Sequence, residues 1–428
     1  MYRFFLMLVV GAIAGQASSL AADWPAFRGP EGNGVCHEQG FPSEWSPNSN
    51  ILWKTPLPGP GNSSPIVVGN RVFITGADRD GHERTLYCFH REDGRVWWQR
   101  TVRWEEKELT HKTNPFCPSS PVSDGKAVYV WHGSAGMHAY DLDGQELWSA
   151  DLGRFSHIWG LGASPILVGE WLIQVCGPGE RTFVAALHRD TGKLVWQTQN
   201  EPGGSDSSRG RYVGTWATPL LIQVGGDSQL VVCFPSRVVG LDPASGRERW
   251  TMSGLSNERS DLCYATPLLA LDHLVVMGGF GGPEFGIQLA ANGLPSSTVP
   301  AWRNEKLEGK KYHPQRIGSG IALERFIFMA NADEPGSIEC FEAATGIRQW
   351  VQPRTSDGPH WGSIVMADGK LYVPGQKGIV RVLAVNPHAY ELIAENDLGE
   401  TCNATPAFSQ GQIFIRTFDS LYAIGSSP

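Results

Sequence analysis

The sequence predicts an all-β protein: one eight-bladed β-propeller of four-stranded antiparallel blades, its ring closed by an N-terminal strand that completes the last blade. Three observations predict it. The 428 residues include 51 glycines and 29 prolines, roughly a fifth of the chain against a usual ~12%, so turns are frequent and elements short. A tryptophan recurs four residues after a turn glycine. Between tryptophans, a small residue and a Ser or Thr, usually followed by Pro, open a pair of apolar runs.

The tryptophan motif runs Gly94 to Trp98, Gly144 to Trp148, Gly192 to Trp196, Gly246 to Trp250 and Gly346 to Trp350. Trp53 and Trp302 fill equivalent slots with altered turns. In one late cycle, around Pro387 to Ile393, an aliphatic residue takes the tryptophan's place. The second motif begins at Ser63-Ser64-Pro65, Ser119-Ser120-Pro121, Ala163-Ser164-Pro165 and Ala217-Thr218-Pro219. It continues at Ala265-Thr266-Pro267, Gly318-Ser319-Gly320, Gly362-Ser363-Ile364 and Ala404-Thr405-Pro406. A period of roughly 49 residues suits a propeller blade.

Each cycle reads as four strands. In the first, Ser63 to Thr75 forms a hairpin about Gly69-Asn70, Leu86 to His90 is the third strand, and Arg95 to Thr101 is the fourth. β-branched and aromatic residues fill these runs. The last cycle has three strands, ending at Leu421 to Ile424, and the strand from Ile51 to Leu57 has no hairpin before it. Pairing the two closes the ring and leaves no open edge. The tryptophans are expected to wedge between blades, and removing one should cost ~3–5 kcal/mol. A small residue six positions before the turn glycine (Cys88, Ala186, Gly240, Cys340) is expected to be crowded by a neighbouring ring.

The flanks divide the chain further. A short apolar stretch from Phe4 to Ala14, then small residues up to Ala22, reads as an export signal over residues 1–22. Residues 23–50, rich in Gly, Pro and Asn, read as a strap over the ring, and 51–428 as the single propeller. Export predicts a secreted or periplasmic location. With Cys36 far from the cleavage site, no lipid anchor is expected. No later run is long and apolar enough for a membrane span. Net charge is −8 and no Lys/Arg-rich run occurs, which gives no electrostatic case for nucleic acid. A monomer is expected. The eight cysteines show no CxxC spacing, and Cys88 and Cys340 read as small core residues.

Ala186 to Trp196 (Ala-Leu-His-Arg-Asp-Thr-Gly-Lys-Leu-Val-Trp) and Gly240 to Trp250 resemble the repeat of pyrroloquinoline-quinone (PQQ)-like propellers. Cys340 to Trp350 keeps the Thr, Gly and Trp. The opening Asp23-Trp24-Pro25-Ala26-Phe27-Arg28-Gly29-Pro30 is similar to the start of many secreted bacterial members. The resemblance covers nearly the whole mature chain. It implies either of two roles: a quinoprotein alcohol dehydrogenase using PQQ and Ca²⁺, or a non-catalytic propeller such as the scaffold of outer-membrane β-barrel assembly. The dehydrogenases' adjacent cysteine pair, their long pocket-building insertions and a Ca²⁺-binding carboxylate set are missing here, as is the scaffold's lipid-anchor cysteine.

Function is expected on the loops leading into each innermost strand, which open on one rim. They carry His111, Lys112 and Asn114; His157 and Trp159; Arg209, Arg211, Tyr212 and Trp216; and Arg259, Asp261 and Tyr264. The remaining loops carry His313, Gln315 and Arg316; His360 and Trp361; and Asn403. One reading is a polar, aromatic-walled pocket in which arginines fork onto an anion or rings stack on a flat or hydroxylated ligand. The other is that these side chains plug the channel. The histidines form no HxH or HxxxH pair, so no metal site is expected. Gly278-Gly279-Phe280-Gly281-Gly282 reads as a long hairpin loop. The expected function is therefore a non-catalytic scaffold binding a protein, peptide or glycan without a cofactor. The alternative is a divergent PQQ- and Ca²⁺-dependent oxidoreductase of alcohols or sugars, with Asp261 as general base.

Overall fold

The computed structural model describes residues 23–206, 211–306, 313–333, 335–352, 355 and 358–426. The expected export signal, 1–22, and the rim residue Arg209 lie outside the described residues. The fold is an all-β, eight-bladed propeller. From blade 1 to blade 8 the inner strands are Ile66–Val68, Val122–Ser123, Ile166–Val168, Leu220–Val224, Leu268–Ala270, Ile321–Leu323, Val365–Ala367 and Ala407–Ser409. In each blade three more antiparallel strands follow outward. The outermost strand of blade 8 is Ile51–Pro56, paired with Ser420–Ile424, so the ring closes as the sequence predicts. No helix among the described residues is long and apolar enough to cross a membrane.

The Ser/Thr–Pro step forms the inner seam. Its hydroxyls accept hydrogen bonds from backbone N–H groups of the preceding blade. Ser64 N donates to Ser120 Oγ (2.8 Å), Ser120 N to Ser164 Oγ (3.0 Å) and Ser164 N to Thr218 Oγ1 (3.0 Å). The series resumes with Thr266 N to Ser319 Oγ, Ser319 N to Ser363 Oγ and Ser363 N to Thr405 Oγ1, and ends with Thr405 N to Ser64 Oγ. A residue with a compact hydroxyl at this register satisfies a buried donor that no strand partner reaches.

The tryptophans form the outer seam, as expected of inter-blade wedges. Five of them, Trp53, Trp98, Trp148, Trp196 and Trp302, pack under the turn glycine of the next blade, where a Cβ would collide: Gly144 against Trp98 and Gly346 against Trp302 are two such pairs. Their positive φ, 84° and 68°, also favours glycine. Indole Nε1 donates across the junction, from Trp53 to Arg91 O (2.7 Å), Trp98 to Leu142 O (3.0 Å) and Trp148 to Arg189 O (2.7 Å). Trp196, Trp302 and Trp350 do the same toward Pro243, Ala343 and Asn386. The missing tryptophan falls at Ala394, one residue past the expected stretch. There the strap supplies Trp45, whose backbone N–H bonds Asn396 Oδ1 (2.8 Å) and whose ring joins the core with Val382 and Phe414.

The small residues Cys88, Ala186, Gly240 and Cys340 are crowded by a neighbouring ring as expected, that of the tryptophan of their own blade. The register pairs them directly with Trp98, Trp196, Trp250 and Trp350. Gly240 leaves no room for a Cβ beside Trp250 Nε1. All eight cysteines are buried and unbridged, and burial pushes the Cys88 and Cys340 thiols up to about 12.

Residues 23–36 cross the inner strands of several blades. Trp24 and Val67 exchange backbone hydrogen bonds (2.9 and 2.8 Å), and Ser123 N donates to Pro25 O (2.8 Å). Val35–Cys36 adds in parallel to Val365–Ala367. Arg28 is buried without a carboxylate partner, and donates to the carbonyls of Gly32, Asn33 and Gly320. These contacts anchor Phe27 at the channel, where its ring lines the cavity.

Candidate functional site

The lead-in loops surround a cavity of about 360 Å³ at the channel mouth, within the ~300–1,000 Å³ of small-molecule sites. Of the rim residues singled out from sequence, His111, Asn114, Trp159, Trp216, Tyr264, Gln315, Trp361 and Asn403 line it. The others lie elsewhere. His157 is buried behind the wall, its ring edge-on to Trp216 at 5.0 Å, and burial pushes its pKa down to about 4. His313 is buried with Nε2 on Asn304 O at 2.9 Å. Burial, with Arg316 beside it, pushes its pKa down to about 4. His360 is buried between Thr355 Oγ1 and Pro374 O, 3.1 Å each. Lys112 is exposed.

The arginines do not converge on the cavity. Arg316 is sealed in an ion cluster with Glu339 (2.7 Å) and Glu284 (3.2 Å), completed by Arg348. Burial alone would raise the Glu284 carboxyl, but Arg316 and Arg348 hold it down at about 2. Arg211 forks onto Asp261, at 2.6 Å to Oδ1 and 3.2 Å to Oδ2. Arg259 stacks over Phe280 at 3.9 Å. The expectation of arginines forking onto an anion in the pocket therefore has no counterpart among the described residues. Asp261, the candidate base, has both oxygens on a guanidinium.

The rim segments before blades 4 and 5, expected to be loops, are strands. Arg211–Thr215 and Ser260–Cys263 pair in parallel, each carrying apolar or β-branched residues suited to a sheet. That pairing sets an aromatic wall. Trp159 lies 4.4 Å from Tyr212, 5.8 Å from Phe280 and 6.1 Å from Trp216 between ring centroids. Trp216 lies 5.3 Å from Tyr264, and its Nε1 donates to Gly160 O at 2.9 Å.

Amides line the cavity as well. Asn62 Nδ2 donates to Thr113 O (2.9 Å) and Asn114 Oδ1 (3.0 Å), and Asn114 Nδ2 donates to Trp159 O and Leu161 O (2.7 Å each). Asn403 Nδ2 spans the mouth to Thr113 O at 3.1 Å. Two lining acceptors are buried without a partner, Asn62 Oδ1 and Thr266 Oγ1. Buried polar atoms of this kind ordinarily find one. Sequence reasoning missed Asn62, Phe27, Thr266 and Phe280. The signal for Phe280 was a single large ring among four glycines, a loop whose backbone allows a φ of +51°.

PQQ is a polyanionic quinone, and Ca²⁺ takes ~6–8 oxygen ligands, carboxylates among them. The described lining residues include no Arg, Lys, Asp or Glu. No group of three or more His, Cys, Asp or Glu among the described residues could hold a metal. This lining does not fit the pair.

Comparisons with known proteins agree on the fold. The structure of BamB from Moraxella catarrhalis superposes with a TM-score of 0.59 at 14% identity, covering 88% of this chain and 97% of that one. Quinohemoprotein alcohol dehydrogenase ADHIIG from Pseudomonas putida HK5 gives 0.67 at 12% identity, covering 95% and 81%. In sequence, the polyvinylalcohol dehydrogenase of Sphingopyxis sp. (strain 113P3) is 22% identical over 247 residues, half of this chain and 36% of that protein's length. The family described as outer membrane protein assembly factor BamB matches residues 45–154 and 82–352, more than half of the chain, and the protein belongs to that family of PQQ-like propellers.

Proposed function

We propose that this protein is an exported, non-catalytic binding propeller that receives a partner group in its channel mouth. The observation that carries this reading is the makeup of the lining: aromatic faces, amides, hydroxyls and the single imidazole of His111, with no described carboxylate or ammonium among them. The candidate base Asp261 is held by Arg211. The rigid inner seam supports it as well, because a fixed scaffold keeps binding loops in register at little entropic cost.

The test is a pair of assays on the purified protein. The first is dye-linked oxidation of alcohols and sugars with PQQ and Ca²⁺ added, together with the melting temperature. The expected result is no turnover and no Ca²⁺-dependent shift. A ligand at ~100 times its Kd would stabilise by ~2.7 kcal/mol, so binding would be visible. The second assay is saturable binding of peptide and glycan panels, expected for at least one ligand and abolished by Trp159→Ala. PQQ-dependent turnover lost in Asp261→Asn would overturn the proposal in favour of the oxidoreductase suggested by the dehydrogenase relatives.

A further inference from the structure

We infer that the group received in the channel mouth is an uncharged sugar, the end of a neutral glycan. This inference rests on the binding reading above. The cavity is lined by two unlike kinds of group. Trp159, Trp216, Tyr264 and Phe280 form one wall of flat apolar faces, and Trp361 adds an indole from blade 7. Asn62, Gln315 and Thr266 supply hydrogen-bonding groups with capacity to spare. Asn62 Oδ1 and Thr266 Oγ1 are buried without partners. The Gln315 side chain makes no hydrogen bond among the described residues, whereas its backbone N–H is fixed on Asp333 at 3.0 Å.

A pyranose ring has the matching division. Its C–H face is apolar and covers an indole, and its rim carries hydroxyls that both donate and accept. An amide oxygen and a threonine hydroxyl left unpaired in the walls can each bond one of these hydroxyls, removing the cost of leaving them unsatisfied. The absence of described charged side chains from the lining decides between classes. An anionic ligand would enter a cavity with no described arginine or lysine on its walls, which is expensive. The buried Arg28 is not on the wall, and three backbone carbonyls hold its guanidinium. The geometry of the wall is fixed from behind. Gly162 has room for no Cβ beside Trp216 (2.6 Å to Cδ1), and Gly61, next to Asn62, makes way in the same manner for the buried Arg416.

The experiment is a titration of the protein's indole fluorescence with a fixed panel. It contains the neutral trisaccharides of cellulose, xylan, mannan and starch, plus sialyllactose and a sulfated disaccharide as charged controls, and a mixed tripeptide library. At least one neutral trisaccharide should bind saturably and the charged sugars at least tenfold more weakly. Trp216→Ala should lower that affinity at least tenfold. Because that change opens a packed wall, Gln315→Ala and Thr266→Val serve beside it. Each should weaken binding three- to tenfold with the melting temperature unchanged. Preference for a charged sugar, or binding indifferent to Gln315 and Thr266, overturns the inference. If all neutral sugars fail and peptides bind in a Trp159-dependent way, the sugar assignment falls and the binding reading stands. If nothing in the panel binds, both fall.

Discussion

The junction between blades 4 and 5 is fastened differently from the junctions around it. Elsewhere a hydroxyl seam runs unbroken, but no such bond joins Thr218 to Thr266, whose Oγ1 is buried and unpaired. At six other junctions the tryptophan's indole N–H reaches a carbonyl of the next blade. Trp250 instead donates to Gln229 Oε1 of its own blade (2.8 Å), and Gln229 Nε2 passes the link on to Gly293 O at 3.1 Å. The cause is the long connection before Trp302 in blade 5, which lies against the Gly225 turn of blade 4. In exchange, this junction is tied at the rim by the parallel strands Arg211–Thr215 and Ser260–Cys263 and by the Arg211–Asp261 fork. The aromatic wall stands over the same place. The ring departs from its repeat where it builds a site, a pattern in which local rules yield to function.

Acid should produce the largest effect, and it loads both sides of that junction. His157 leads into blade 3 and His313 into blade 6, and each is held neutral by burial with a pKa of about 4. Unfolded, each would titrate near 6.5. The unfolded chain therefore binds protons first as pH falls. The stability these groups permit is complete above pH 6.5, declines between 6.5 and 4, and is flat below. The loss is roughly 3 kcal/mol per histidine, read as a falling melting temperature from pH 7 to 4. His157→Gln should flatten that slope. An unchanged slope would mean the ring is not buried in solution.

The outer seam comes next. Trp98→Ala removes a wedge whose indole bonds a backbone carbonyl, and should cost ~3–5 kcal/mol. Trp250→Ala removes the same ring and also strands a fully buried Gln229 oxygen, which adds ~1–3 kcal/mol. Denaturant unfolding of the two variants measures the difference. The pair Trp250→Ala with Gln229→Leu should recover part of it, a coupling that separates the relay from simple packing. Equal losses at Trp98 and Trp250 would show that the two junctions are held alike.

How much of this was legible follows from what repeats. The ring, its closure by Ile51–Pro56 and the wedge tryptophans were readable because one blade's chemistry recurs in matched phase. The eight Ser/Thr positions were visible as a motif, but their bonding was not, since it depends on a neighbouring blade's register. The site was half legible. Trp159, Trp216, Tyr264 and Trp361 stood out as aromatics on rim loops, and they line the cavity. Arg316 and His313 stood out equally and turned into the core: His313 meets the Asn304 carbonyl, and the partners of Arg316, Glu284 and Glu339, lie on third strands, where a glutamate between apolar neighbours gives no local sign of an ion pair. Phe280 was hidden because its loop crosses from blade 5 to cover Trp159 of blade 3's rim, a contact no spacing encodes.

The smallest effect is the sharpest comparison within the inner seam. Thr405→Val deletes a hydroxyl that accepts from Ser363 N at 2.9 Å, leaving a buried N–H unpaired, and should cost ~1–3 kcal/mol. Thr266→Val at the odd junction deletes a hydroxyl oxygen that accepts nothing, so it should fall within ~0.5 kcal/mol of neutral. Its backbone N–H keeps its own bond to Ser319 Oγ at 3.0 Å. The two substitutions are chemically identical and both sites are buried, so solvent exposure does not separate them. Paired denaturant melts decide the matter. If Thr266→Val is as damaging as Thr405→Val, its hydroxyl has a structural partner in solution and the seam is continuous. If it is neutral, that hydroxyl is free in the folded ring and available to a ligand.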